Sequence, residues 1–300
     1  MRTLSPFVGD PIAEFDSIAA DRKSMSVRTQ LALMRPSVEA RYQLYDKERF
    51  ELSAFAALPS PFTGSEEQKL LRECYVSDSH DTEALSHLKA RIRAMQPPGI
   101  ARRCQYCCGI GCADTWDHYL PKDVFPEFAV YPGNLVPSCS MCNSKRGAWV
   151  DLRRRRRTVS LYFDNLDSGR QLVNAKIDFD VSGLPHLVVK PKKKTPKRRR
   201  QVDRLFARHF KTLGLTKRFR ECAVARLATI QGDIRRWSTD HWTEADIVQE
   251  LRGLTTSREQ QFGANDHETV AYRAAGASRP FVRACMGRSP GPITPLGPTR

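Results

Sequence analysis

The sequence contains no long apolar run. No window approaches the roughly 18 consecutive apolar residues of a membrane-spanning helix, which argues against an integral membrane protein. The first residues, MRTLSPFVGDPIAEFDSIAADRK, also lack the apolar stretch behind a basic start that is typical of a secretion signal. We therefore expect a cytoplasmic protein with no membrane partner.

Acidic residues are scarce relative to basic ones. The 300 residues include 49 lysines and arginines but 33 aspartates and glutamates, which gives a formal net charge of +16. Such a balance favours a polyanionic partner, either nucleic acid or an acidic membrane surface. Charge alone does not separate the two, so the choice depends on the central motif described below.

The nine cysteines do not suit a disulfide framework, because their number is odd. In a reducing compartment, clustered cysteines are more often metal ligands or catalytic groups. Cys74, Cys222 and Cys285 stand alone in the sequence and are expected to be buried or inert thiols. The other six cysteines fall between residues 104 and 142.

Composition and apolar spacing predict an α+β chain that is mainly helical, divided into five segments. These are a helical region at 1–99, a central module at 100–152, a basic linker with a short β-hairpin at 153–195, a basic helical region at 196–286, and a disordered tail rich in proline and glycine at 287–300.

In the first half of the chain, helices are predicted at Ser26–Phe55, where Pro36 should force a break or a restart, and from Asp81 or Thr82 to Met95. In the second half, two helices are predicted between residues 197 and 237, separated near Gly214, and a further helix from Thr243 to Leu251. Strands are predicted at Val159–Phe163, Val173–Phe179 and Leu184–Val189, with Ser182-Gly183 turning the last two into a hairpin.

Two cysteine pairs have the spacing of zinc ligands. Cys104/Cys107 and Cys139/Cys142 are each separated by two residues, which lets both sulfurs of a pair point at one tetrahedral ion. The 31 residues between the pairs exceed the roughly 15–20 of a compact zinc ribbon, so the metal would close a loop that holds something else. Cys108 and Cys112 are alternative zinc ligands for the first pair. We favour Cys104/Cys107, because this pair has the same two-residue gap as Cys139/Cys142.

The enclosed loop contains Asp117, His118 and Asn134, and Asn143 follows the second pair directly. A neutral imidazole such as that of His118 can accept a proton from water near pH 7. Hard oxygen ligands suit Mg²⁺ or Mn²⁺, and the Asp117 carboxylate and the Asn143 amide carbonyl supply two of them. Neighbours on a strand point to opposite faces, so Asp117 and His118 can reach one phosphate only if the strand ends or bends there.

The pattern C-x2-C, DHYLPK, FPEF, NLVP and C-x2-C-N-x-K-x-G resembles the HNH endonuclease family in its zinc-stabilised bacterial form. The resemblance covers about residues 100–150 and implies the ββα-metal motif, a β-hairpin followed by a helix. It implies His118 as the general base and Asp117 as a ligand of the catalytic metal. Asn143 would be the second ligand in place of the family's final His, and Asn134 would order the loop that orients His118.

The resemblance also implies one-metal hydrolysis of DNA that leaves 5′-phosphate and 3′-hydroxyl ends. Stand-alone HNH proteins with helical flanks include restriction enzymes and phage-defence effectors, such as the nuclease subunit of Septu-type systems, which works with an ATPase. A partner ATPase or another defence subunit is therefore an expectation from the resemblance. Cys108 departs from the family pattern, because such knuckles usually place glycine there.

Dense basic runs beside the motif predict contacts with the phosphate backbone of DNA, with RNA left open. The residues of this basic set are Lys145, Arg146, Arg153, Arg154, Arg155, Arg156, Arg157, Lys192, Lys193 and Lys194. The alternative function is a non-catalytic, zinc-containing subunit that binds nucleic acid or acts as a scaffold.

Overall fold

A computed structural model of the chain describes residues 1–75, 82–166, 169–192 and 200–287, with only the backbone described at 145, 146 and 200. The described residues are mainly helical, with two small antiparallel sheets of two strands each, which confirms an α+β chain. In this part of the chain no helix is both long and apolar enough to span a membrane. Residues 288–300 of the predicted tail lie outside the described ranges.

Contacts divide the chain into two units. The N-terminal unit comprises Thr3–Cys107 and Gly111–Leu166, and the C-terminal unit comprises Met1–Arg2, Cys108–Ile110 and the described residues from 169 onwards. The five segment boundaries expected from the sequence remain a prediction.

The N-terminal unit begins with a helical layer. Its helices are α1 at Pro11–Ala20, α2 at Met25–Glu48, α3 at Ser65–Glu73, α4 at Glu83–Ala94 and the short α5 at Pro98–Ala101, with a 3₁₀ helix at Leu52–Ala57. The Thr82 side chain accepts a hydrogen bond from the amide of Leu85 and so caps α4, where the sequence predicts a start at either Asp81 or Thr82.

The predicted break at Pro36 is wrong, because α2 runs unbroken through it. Proline removes one helical hydrogen bond, but apolar burial on both sides keeps the two halves in register. The buried side chains are Leu31, Met34, Val38 and Tyr42. The predicted extension of this α-helix to Phe55 is also wrong, because α2 ends at Glu48 and Phe55 lies in a separate 3₁₀ helix.

A β-hairpin and a helix follow this layer. Strand β1, Thr115–His118, pairs antiparallel with β2, Leu135–Ser138, so that His118 lies opposite Leu135. Helix α6, Ser140–Arg146, starts two residues after β2. The long connection at 119–134 contains two 3₁₀ turns and a buried aromatic cluster.

The predicted strand at Val159–Phe163 is wrong, because no strand forms there and residues 161–163 are in a turn. The Asp164 amide donates to the carbonyl of Ser160, and the Asp164 carboxylate accepts from the Ser160 amide at 2.7 Å. Val159, Leu161 and Tyr162 of the run are buried all the same. A buried turn and a strand share one apolar pattern, which explains the wrong prediction.

The C-terminal unit contains the predicted hairpin and a helical bundle. Strand β3, Val173–Phe179, pairs with β4, Pro185–Pro191, and Gly183 in the turn has a φ of +77°. The helices are α7 at Arg200–Thr212, α8 at Leu215–Thr239, α9 at Glu244–Phe262, α10 at His267–Ala277 and α11 at Arg279–Cys285.

Several predictions for the C-terminal unit are confirmed. Gly214, with a left-handed backbone, separates α7 from α8. Thr243 and Asp246 form a capping box at the start of α9. Helix α9 runs eleven residues beyond the predicted end at Leu251, to Phe262. The sequence did not indicate α10 or α11.

Candidate active site

Four buried thiols converge in the N-terminal unit. The sulfurs of Cys104, Cys107, Cys139 and Cys142 all lie within 4.8 Å of one another, and those of Cys107 and Cys139 are 4.0 Å apart. A tetrahedral zinc with its usual bonds to sulfur separates its ligands by about 3.8 Å. The cluster could therefore hold a structural zinc, and among the described residues it brings together Cys104, Cys107, Cys139 and Cys142 without Cys108 or Cys112.

The backbone around this cysteine cluster fits a metal knuckle. The Gly111 amide donates to the sulfur of Cys107 at 3.2 Å, and a Cβ on Gly111 would meet the Cys139 sulfur at 2.9 Å, which leaves no room for a side chain. Hydrogen bonds from the thiols of Cys104, Cys107 and Cys142 lower the pKa of the Cys139 thiol. A thiolate, the form that binds metal, is thus favoured within the cluster.

The other cysteines take no part in the cluster. Cys112 is exposed, and Cys108 belongs to the C-terminal unit, where its carbonyl accepts the amide of His267 at 2.9 Å. Burial raises the pKa of the Cys74 thiol to about 12 and that of the Cys285 thiol to about 11. Both are buried, as predicted.

A cleft of about 470 Å³ lies at the end of the first hairpin, and three of the four predicted catalytic residues, Asp117, His118 and Asn143, line it together. Asp117 and His118 are the last two residues of β1, and Asn143 comes from α6. The strand ends at His118, so two consecutive residues reach one cavity despite the alternation of a strand.

The backbone fixes the His118 ring. Its Nε2 lies 2.8 Å from the carbonyl oxygen of Ala129. Because a carbonyl only accepts, Nε2 carries a hydrogen and donates it, and the neutral ring then has its lone pair on Nδ1. The ring of Tyr75 meets the imidazole edge-on, with the centroids 4.4 Å apart. The arrangement suits a base that must present one defined nitrogen.

Asn134 organises the loop that holds this histidine. Its Oδ1 accepts the amide of Leu120 at 2.7 Å, and its Nδ2 donates to the carbonyls of Leu120 and Phe128. The residue is fully buried. Since Ala129 follows Phe128, the Asn134 side chain sets the position of the carbonyl that orients His118.

Asp117 and Asn143 are each held by a neighbouring group. The hydroxyl of Tyr106, a residue between two of the clustered cysteines, donates to Asp117 Oδ2 at 2.9 Å. Asn143 Nδ2 donates to Thr115 Oγ1 at 3.3 Å and to the Trp116 carbonyl at 3.2 Å. With both amide hydrogens engaged, Oδ1 is the atom with which Asn143 can bind a metal.

Sequence reasoning missed several residues of the site. Lys122 and Tyr75 line the cleft, with the Lys122 ammonium 4.8 Å from the Tyr75 ring centroid. Burial lowers the pKa of Lys122. In the sequence, Tyr106 is marked by its position between two predicted ligands. Tyr75 follows the end of α3, far from the motif in sequence, and no local pattern points to it.

The predicted basic set is not uniform. Arg153, Arg154 and Lys192 are exposed, while Arg155 pairs with Asp151 at 2.7 Å. Arg156 is buried in an ion pair with the Asp164 carboxylate, so it is not a surface contact for phosphate. The side chains of Lys145 and Arg146 on α6, and all of Lys193 and Lys194, lie outside the described part of the chain.

Comparisons with known proteins give partial similarity. The chain is 35% identical over 131 residues to protein ea31 of Escherichia phage lambda, covering 43% of each chain. It is 31% identical over 87 residues to Septu protein PtuB of Bacillus thuringiensis, covering 28% of this chain and 32% of that protein. The chain thus spans less than half the length of these relatives. No family model matches it, and no solved structure matches it.

Proposed function

We propose that this chain is a metal-dependent endonuclease of the HNH type that hydrolyses phosphodiester bonds of DNA. The observation that supports this best is the convergence of Asp117, His118 and Asn143 on one cleft. The order of β1, β2 and α6 also suits the ββα-metal motif. A carboxylate and an amide oxygen can hold a divalent metal and an imidazole can act as a general base, two functions that promote hydrolysis of a phosphodiester.

Each of the three residues has a distinct task. His118 accepts a proton from the attacking water on Nδ1, because Nε2 is occupied by the Ala129 carbonyl. Asp117 and the Oδ1 of Asn143 would hold Mg²⁺ or Mn²⁺ through oxygen ligands. When bound, such an ion supplies a Lewis acid for the scissile phosphate and the departing 3′-oxygen. The products would be 5′-phosphate and 3′-hydroxyl ends.

The cysteine cluster has a structural task in this proposal. A zinc held by Cys104, Cys107, Cys139 and Cys142 fixes the backbone on both sides of the cleft. On one side it places Tyr106, which orients Asp117. On the other it places Asn143, the residue after the last ligand. Zinc would therefore support cleavage through geometry.

The similarity to Septu protein PtuB supports a role in phage defence. In that setting the chain would act as an effector together with an ATPase or another defence subunit. A restriction-type role is the other setting for the same chemistry.

A second candidate is a non-catalytic, zinc-containing subunit that binds nucleic acid or acts as a scaffold. The exposed Arg153, Arg154 and Lys192 favour binding independently of cleavage. A pure binder, however, has no use for an oriented imidazole beside two oxygen ligands in one cleft.

Plasmid nicking in Mg²⁺ or Mn²⁺ separates these functions. We expect His118→Ala to lower the nicking rate by about 10²-fold or more, the typical contribution of a general base. His87→Ala is the matched control, because His87 is an exposed histidine on α4. The proposal fails if His118→Ala cuts like the wild type, or if the wild type cuts neither alone nor with a candidate ATPase.

A further inference from the structure

A short finger projects after α6. It comprises Trp149–Arg157, and its stem is closed by a bridge between Val150 and Arg156. The Arg157 amide also donates to the Trp149 carbonyl at 3.0 Å. The finger thus has a paired stem and a tip at residues 151–155.

The stem is anchored in the core. Trp149 is buried and meets the Phe125 ring edge-on, with the centroids 5.8 Å apart. On the opposite strand of the stem, the Arg156 guanidinium binds both oxygens of the buried Asp164 carboxylate, at 3.1 and 2.9 Å. Because both sides of the stem are anchored in the core, the orientation of the tip relative to the N-terminal unit is fixed.

The tip is held by a single carboxylate. Asp151 Oδ1 accepts the amides of Arg153 and Arg155 at 2.9 and 3.0 Å, and Oδ2 accepts from the Arg155 side chain at 2.9 Å. The hydrogen bond from the Arg155 side chain is the main cause that lowers the pKa of Asp151 to about 2. The carboxylate is therefore ionised at neutral pH, and the turn stays formed.

This rigid tip exposes one apolar side chain between charges. Leu152 has a relative exposure of 106%, and the neighbouring Arg153 and Arg154 are exposed as well. Isolated exposed leucines are ordinary. An exposed leucine at the apex of an anchored turn, next to two exposed arginines, has the composition of a wedge that enters the minor groove of DNA.

We propose that Leu152 inserts into the minor groove of duplex DNA and unstacks one base step, while Arg153 and Arg154 bind in the groove beside it. The choice of DNA rests on the proposed function. Arginines favour the negative potential of the minor groove, and an inserted leucine kinks the duplex.

The finger lies close to the cleft along the chain. Gly147 lines the cleft, and a Cβ on Gly147 would lie 3.7 Å from Nη1 of Arg157. Leu152 is the fifth residue after Gly147, and this stretch of chain spans at most about 18 Å. The kink should therefore fall close to the scissile phosphate.

The test uses His118→Ala as the background, so that the DNA stays uncut. A duplex with 2-aminopurine at successive positions reports unstacking, and end-labelled dyes report bending by energy transfer. Adding Leu152→Ala should abolish most of the fluorescence rise and of the bend, with little loss of affinity, whereas Leu152→Met should retain both. Leu33→Ala is the matched control, because Leu33 is an exposed leucine on α2.

The inference is overturned if Leu152→Ala unstacks and bends DNA like its background, if the background protein does not bind the duplex, or if it binds and unstacks duplex RNA equally well. If the wild type nicks plasmid without bending DNA, the wedge fails and the nuclease stands. If DNA is bent in a Leu152-dependent way but never cut by the wild type, the nuclease fails and the wedge stands.

Discussion

At the scale of single residues, Asn143 owes its position to its neighbours in the chain. Asn143 follows Cys142, and its backbone N–H donates to the Cys139 carbonyl at 3.0 Å. Asp117 depends on the same knuckle through Tyr106. Both proposed ligands of the catalytic ion are therefore positioned by the segment that carries the four thiols.

Replacing one of these thiols tests the dependence. We expect Cys139→Ser to lose bound zinc, measured by elemental analysis, and to lose nicking in parallel, because the backbone under Tyr106 and Asn143 loosens. Cys112→Ser is the control, since Cys112 is exposed and outside the cluster. Unchanged zinc in Cys139→Ser would contradict the four-cysteine site.

At the scale of elements, helix α2 buttresses the loop that orients His118. Arg41 on α2 binds the buried Glu127 at 2.8 Å, and Ser60 donates to the other oxygen of that carboxylate at 2.7 Å. Tyr45 packs against the ring of Phe128, with the centroids 5.1 Å apart. The N-terminal helices thus hold the segment that ends in the Ala129 carbonyl.

Breaking this ion pair should loosen the loop. We expect Arg41→Ala to lower the free energy of unfolding by about 3 kcal/mol, because it leaves the Glu127 charge buried without its partner. Urea denaturation measures the change, and nicking should fall with it. Arg35→Ala removes partly exposed ion pairs with Asp16 and Glu39 and should change stability far less. Equal effects of the two variants would contradict a buttressing role for α2.

The elements differ in how well local patterns predict them. Cap and turn chemistry predicts the start of α9 at Thr243, the break at Gly214 and the second hairpin. The wrong predictions at Pro36 and Val159–Phe163 share one cause, because burial of apolar side chains in the tertiary structure overrides the local preference for secondary structure there. In the site, cysteine spacing predicts the cluster, whereas Tyr75 and the Ala129 carbonyl reach His118 only through folding.

At the scale of the whole molecule, a formal net charge of +16 should dominate binding to DNA. Some of the arginines are neutralised by nearby acids, as Arg155 is by Asp151. The phosphate contacts should therefore come from exposed side chains such as Arg153, Arg154 and Lys192.

Salt dependence measures these contacts. If about six phosphates are contacted, affinity should fall about 10³-fold between about 50 and 200 mM salt. Lys192→Ala should reduce the log–log slope by about one, whereas Lys47→Ala, on the exposed face of α2, should leave it unchanged. A flat salt response would argue against contacts with phosphate.

The most direct test of the proposed site is to measure Mn²⁺ binding and plasmid nicking on the same three variants. We expect Asp117→Asn to lose both Mn²⁺ binding, followed by electron paramagnetic resonance, and nicking. His118→Ala should bind Mn²⁺ like the wild type yet fail to nick. Asp123→Asn, which alters another acid of the cleft, should retain both properties. Wild-type Mn²⁺ binding by Asp117→Asn, or nicking by His118→Ala, would contradict the assignment of metal ligand and base.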